Sequence, residues 1–334
     1  MLLNLPILCQ IEILKRLPPT SVDTSALVCR HLNSVITKCR NHLPKVRVFM
    51  AITNEMDFEN ITICVYLHPI HYNGSFEGCM KRRVYKQLTI KITELQTFDL
   101  QKHFGLFELE SILLTSRHRQ LSPISFELAN FVEKIILSQP KLRYFSARSL
   151  DFKHFGINEI DRFLSSFQNL HRLHIFKLDS CHFQNFQSIY TIYSSKILYK
   201  TRQFREVCTT RENSTLQNAA LMKEINGNFF KMLQSENNLL ELLDISSSVN
   251  WPFGSFVYFI ETWIISKTPK NFISFTVMRT PEFESIVEEI KVHPWIFNHD
   301  EPLTFKNKHN ENLILQVCVE SLLYFSIHMV TVQN

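Results

Sequence analysis

Six glycines in 334 residues leave this chain few ways to bind a phosphate or build a strained catalytic turn. Glycine is the residue that reaches positive φ without penalty and lets backbone N–H groups approach a ligand closely. The six are Gly74, Gly78, Gly105, Gly156, Gly227 and Gly254. No pair of them has the spacing of a dinucleotide fingerprint, a Walker phosphate loop or a Gly-x-Ser-x-Gly elbow. That argues against the common mononucleotide-binding enzymes. Phenylalanine, by contrast, occurs 28 times, so the chain spends its apolar surface on packing. Its length suggests two or three domains, and its balance of 45% hydrophobic to 20% charged residues is that of a globular protein.

The first forty residues are punctuated most clearly. Asn4 is a candidate helix cap, and Pro6 is tolerated in a first turn because its missing N–H would be unpaired there anyway. Ile7, Leu8, Ile11, Ile13, Leu14 and Leu17 then recur at helical spacing over more than one face. Pro18-Pro19 stops that helix, and Thr20 or Ser21 with Asp23 can start a second. Ala26, Leu27, Val28, Leu32, Val35 and Ile36 read as the stripe of a third. Three short helices cannot bury so many apolar positions among themselves. The surplus requires either a partner protein or the rest of this chain as cover.

The same residues resemble an F-box. Leu5-Pro6 opens the segment, Ile13 and Leu17 follow eight and twelve residues after Leu5, Val22 lies five further on, and Leu27-Val28-Cys29-Arg30 closes it. The chain departs from the family pattern at Leu8, where Glu is frequent, and at Leu32, where Trp is frequent. The resemblance implies docking onto a Skp-family adaptor, and through it association with cullin and RING subunits of a ubiquitin ligase. It assigns the adaptor contact to Leu5, Pro6, Ile13, Leu17, Val22, Leu27, Val28 and Leu32, some of which would form the interior of the module itself.

Beyond Pro44 the pattern changes from helical to alternating. Residues 46–52, 61–67 and 84–92 read as strands. From residue 98 onward a unit recurs, consisting of a helical stretch, a polar corner and an alternating run. Residues 130–152 match 162–183 in layout; 229–249 and 259–278 repeat it more loosely, and 98–115 is a weaker early copy. From Pro140 to Gln168 is 28 residues, the length of a leucine-rich repeat with one strand and one helix per turn. Residues 185–220 break the period and read as an irregular insertion. Two alternating runs near the end, from Asn312 and from Tyr324, read as terminal strands. The expected fold class is α+β to α/β repeat: a three-helix F-box (1–43), a β-rich connecting segment (44–97) continuous with the repeats, and a divergent leucine-rich-repeat-like, target-binding region (98–334). In style this resembles the diversified F-box groups of nematodes.

Other chemistry is thinly represented. Eight cysteines lie far apart without a Cys-x-x-Cys pair, and several sit in apolar runs as reduced thiols do. His171, His174, Cys181 and His182 form the best metal-like cluster, but strand alternation would separate them. His68 and His71 flank a proline in a turn-like stretch, and Lys81-Arg82-Arg83 reads as a solvated edge. Glu284, Glu288 and Glu289 read as a solvated helix face, and Trp251, Trp263 and Trp295 as packing residues. The sequons beginning at Asn60, Asn73 and Asn213 carry no weight without secretion. The expectation is a non-enzyme without cofactor or metal, binding neither nucleic acid nor membrane, placed in the cytoplasm or nucleus. The F-box resemblance implies that such a chain recognises an unidentified target protein for a Skp–cullin–F-box ligase. The alternative is an interaction scaffold whose F-box-like helices pack on its own body, which would bury Ile13, Leu17 and Leu27.

Overall fold

Proline sets the boundaries of the first helices. In the computed structural model, Pro6 and Pro18, both in extended conformation, precede helices α1 (Ile7–Arg16) and α2 (Pro19–Val28). The structure describes residues 2–55, 59–67, 84–105, 107–116, 121–170, 173–184, 197–210, 239–245, 253–269, 274–278, 296–298, 303–319 and 324–331, with single residues between 188 and 195. Three details differ from the sequence reading. Asn4 closes a short 3-10 turn and does not cap α1, whose N-cap Pro6 offers no side-chain bond. The second helix starts directly at Pro19, where a fixed φ suits a first helical position. Finally, Ala26, Leu27 and Val28 belong to α2. The chain breaks at Cys29, which turns extended and caps α3 (Arg30–Cys39) by accepting the Leu32 N–H on its sulfur at 3.5 Å.

Leu14, Val22, Val35, Ile36 and Leu43 form the interior of this helical unit, with Ile11, Leu17, Ala26 and Cys39 packed against it. The core is distinct from that of the remaining chain.

A mixed α/β region follows, built on one sheet. Strands β1 (Val46–Asn54), β2 (Asn60–Leu67) and β3 (Lys86–Lys91) form an antiparallel end. Helix α4 (Leu100–Phe104) leads to β4 (Phe107–Ser116), which lies parallel to β1. A short β5 (Ser122–Pro123) and helix α5 (Phe126–Ser138) precede β6 (Tyr144–Arg148) and β7 (Leu150–Phe152). Ser125 caps α5 by accepting the Leu128 N–H. Helix α6 (Ile157–Ser165) leads to β8 (Ile175–Phe183), and α7 (Ile197–Lys200) to β9 (Gln203–Thr210). Next come β10 (Leu242–Ile245), helix α8 (Phe253–Ile265) and β11 (Ser274–Met278). Strands β12 (Ile296–Asn298), β13 (Leu303–Lys306), β14 (Leu313–Val319) and β15 (Tyr324–Thr331) close the other end in antiparallel pairs. The last two are the terminal strands expected from the sequence.

The central strands β1, β4, β6, β8, β9, β10 and β11 are all parallel and lie side by side in chain order. Successive strands begin at Phe107, Tyr144, Ile175, Gln203, Leu242 and Ser274, at intervals of roughly 30–40 residues. Residues 203–210, placed by the sequence reading in an irregular insertion, therefore form a strand in the middle of the sheet. The helical part of 229–249 lies outside the described residues.

Register brings four of the phenylalanines into one row. Ile112, Phe145, Phe176, Phe204, Leu243 and Phe275 are mutual partners across consecutive strands. The rings of Phe145 and Phe176 stack at 5.4 Å, and those of Phe176 and Phe204 at 5.8 Å. Apolar side chains of α5, α6, α7 and α8 join the same core, which places these helices on one face of the sheet. Two neighbouring strands also bend alike. Ser149 (φ 55°) and Ser180 (φ 54°) both adopt the left-handed region that glycine usually fills. The Ser149 N–H donates to the Asp179 carbonyl at 2.9 Å, and beyond the bend Phe152 and Phe183 stack at 5.1 Å. Serine takes these two positions in a chain that has hardly any glycine to place there. Among the described residues, no helix is long and apolar enough to cross a membrane.

Candidate functional site

The N-terminal helices leave much of their apolar surface uncovered. Of the fifteen large hydrophobic residues exposed among those described, seven lie before Cys29: Leu3, Leu5, Ile7, Leu8, Ile13, Leu27 and Val28. Leu27 is 86% exposed, Leu8 77% and Val28 70%. Isolated exposed apolar residues are ordinary, but this concentration in so short a segment is not.

A buried polar contact shapes the surface. Gln10, 1% exposed, donates through Nε2 to the Leu5 carbonyl at 2.8 Å, and its Oε1 lies 3.1 Å from His31 Nε2. One side chain thereby ties the opening turn to α1 and to the start of α3. Arg40, just beyond α3, reaches Asp23 of α2 at 2.9 Å. On the outer side of α1, Lys15 pairs with Glu12 and holds that carboxyl below its ordinary range. The geometry brings α1 and α2 onto α3, and the α2–α3 break leaves Leu27 and Val28 facing solvent.

The eight residues singled out from the sequence divide into groups. Leu5, Pro6, Ile13, Leu27 and Val28 are exposed. Leu17 is half-buried against the helical core. Val22 and Leu32 are buried, among the residues that the sequence reading allowed to form the interior of the module itself. Reading Leu27 and Val28 as part of a third-helix stripe would have buried them; the break at Cys29 explains their exposure. Leu3, Ile7 and Leu8 were not singled out, although their position before and within the first apolar helix was the available clue.

The described members of the metal-like cluster do not converge. His171 lies outside the described residues. His174 packs its ring on Tyr144 at 5.8 Å, whereas Cys181 is fully buried with its sulfur 3.7 Å from the Ala147 carbonyl. Among the described residues, no group of three His, Cys, Asp or Glu side chains could hold a metal ion. Trp263 is core. Trp251, Trp295, His68, His71, the Lys81–Arg83 run and Glu284, Glu288 and Glu289 lie outside the described residues.

Three short helices with a small private core and an apolar exterior define a helical docking module. Residues 2–44 match the family model of the F-box domain, so the chain carries an F-box domain at its N-terminal end. No curated protein and no solved structure matched the chain.

Proposed function

We propose that this chain is the substrate-recognition subunit of a Skp–cullin–F-box ubiquitin ligase. The observation that carries the reading is the coincidence of an F-box match over residues 2–44 with the exposure of Leu5, Leu8, Ile13, Leu27 and Val28 in that same segment. These residues dock a Skp-family adaptor by burying apolar surface, and a few of them supply most of the binding energy. The adaptor links the chain to cullin and RING subunits. The sheet region grips a target protein, so that a target lysine is held near a loaded conjugating enzyme and transfer gains from proximity.

Within this proposal the sheet region is a leucine-rich-repeat-like array. Parallel strands in chain order, helices on one face and paired bends at Ser149 and Ser180 support that reading. Such an array leaves a broad sheet face for a protein ligand. The chain itself contributes no catalytic step and works in the cytoplasm or nucleus, where adaptor and cullin would meet it. The scaffold alternative requires Ile13, Leu17 and Leu27 to be covered by the chain's own body; Leu17 is half-buried against the helical core, and the exposure of Ile13 and Leu27 weighs against that alternative.

The test is a pulldown of a purified Skp-family adaptor by the full-length chain and by a version lacking residues 1–44. The proposal expects retention by the full chain only. Lack of retention by a folded full-length chain would overturn it.

A further inference from the structure

A cavity of about 240 Å³ lies beneath the first strand, where β1, α4, the start of β4 and the end of α5 meet. Its inner apolar walls are Val48, Met50, Phe104, Phe107, Leu109 and Ile135, all of them buried, while Gln101 and Ser138 on its rim are exposed, so the cavity opens to solvent on that side. The polar lining consists of Lys45, Gln101, Ser138 and Gln139. Lys45, half-buried, lies on the cavity wall directly ahead of β1. Among the described residues, no side chain forms an ion pair with it. The nearby acid, Glu108, is taken by Lys141 at 2.7 Å and by Arg47 at 3.6 Å. Gln139 also lines the cavity, and its Oε1 accepts the Leu109 N–H at 3.2 Å. That bond fixes the amide orientation and leaves the two N–H donors of Nε2 for another acceptor.

A half-buried ammonium without a counter-ion is costly to keep, and it becomes favourable when an anion shares its site. Burial holds the Lys45 ammonium below the ordinary lysine range, and the neighbouring cations Arg40 and Lys141 push it the same way against the pull of Glu108. The cavity is at the small end for ligand sites, which excludes nucleotides and extended cofactors. Buried apolar inner walls, with the Lys45 ammonium and the Gln139 amide donors at the polar side, suit a compact molecule with a hydrocarbon body and a single anionic head.

We propose that this cavity binds a small apolar carboxylic acid. Its hydrocarbon part lies among Val48, Met50, Phe104 and Ile135, and its carboxylate accepts hydrogen bonds from Lys45 Nζ and Gln139 Nε2. The inference is independent of adaptor docking, because none of the exposed F-box residues lines the cavity.

The experiment is equilibrium dialysis of the full-length chain against radiolabelled octanoate, with unlabelled octanol as a neutral competitor. The expected result is one saturable site that octanol displaces at least tenfold less effectively than unlabelled octanoate. Lys45→Met should weaken octanoate binding at least tenfold. Val48→Phe, which fills the chamber while Lys45 stays in place, should abolish it; circular dichroism verifies that both variants are folded. No saturable binding by the wild-type chain, or equal binding by wild type and Lys45→Met, would overturn the proposal. So would unchanged binding by folded Val48→Phe.

Discussion

The guanidinium of Arg40 lies 2.9 Å from the carboxylate of Asp23 and joins the end of the third helix to the middle of the second. The Arg40 side chain is nearly buried, whereas Asp23 is partly open to water. Removing the acid leaves a buried cation less well compensated, and the penalty for that exceeds the net worth of the pair. Asp23→Ala should destabilise the helical unit by about 1–3 kcal/mol. Faster hydrogen exchange confined to amides of α2 and α3 checks the prediction.

Asn307 organises the far side of the molecule in a comparable way. Its Nδ2 donates to the carbonyls of Trp263 at 2.7 Å, Ile264 at 3.2 Å and Ser266 at 3.0 Å, while Oδ1 accepts the N–H groups of His309 and Asn310. It satisfies the carbonyls that the end of α8 leaves unpaired. Asn307→Ala should cost about 2–4 kcal/mol in urea unfolding. Asn307→Asp should be no better, because an anion would face the same carbonyl oxygens.

The aromatic ladder through the parallel strands makes a packing prediction. Phe176 stacks on Phe145 and on Phe204, and meets Phe167 edge-on at 5.3 Å. Phe176→Ala should destabilise by about 3–5 kcal/mol, and Phe176→Leu by clearly less. Comparing the two denaturation midpoints separates loss of volume from loss of ring stacking.

Tyr66 gives a pH dependence. Burial, then Cys64 beside it, pushes its phenol up to about 12. The unfolded phenol titrates near ~10. A raised folded value means the contribution is fully present below the unfolded one and is lost as pH rises through the folded one. Wild-type stability should therefore fall more steeply than that of Tyr66→Phe between about pH 10 and 12. Parallel alkaline unfolding curves would contradict this.

The sequence carried the element types further than their joints. Proline at 18 and 19 marked the first helix boundary because its ring and missing N–H act locally. Cys29 escaped notice because a thiol is an uncommon helix cap, and so Leu27 and Val28 were joined to the wrong helix. Strand β9 was hidden because Gln203, Arg205 and Glu206 dilute its apolar pattern. The role of Asn307 at the end of α8 could not be anticipated, since the carbonyls it bonds lie more than forty residues away along the chain. For the docking surface, the register of an F-box was visible in Leu5, Ile13 and Leu17. Separation of exposed residues from interior ones such as Val22 and Leu32 depends on how the helices cross, which spacing does not encode.

The most direct test of the account is the affinity of a Skp-family adaptor for the full-length chain and for Leu8→Asp combined with Leu27→Asp. Both positions are exposed, so the charges should leave the helical core intact, and an unchanged thermal melt verifies it. The account predicts that affinity falls by about a hundredfold or more, as expected when central apolar anchors are lost. Binding within about threefold of wild type by a folded double variant would contradict the assignment of this surface as the docking site.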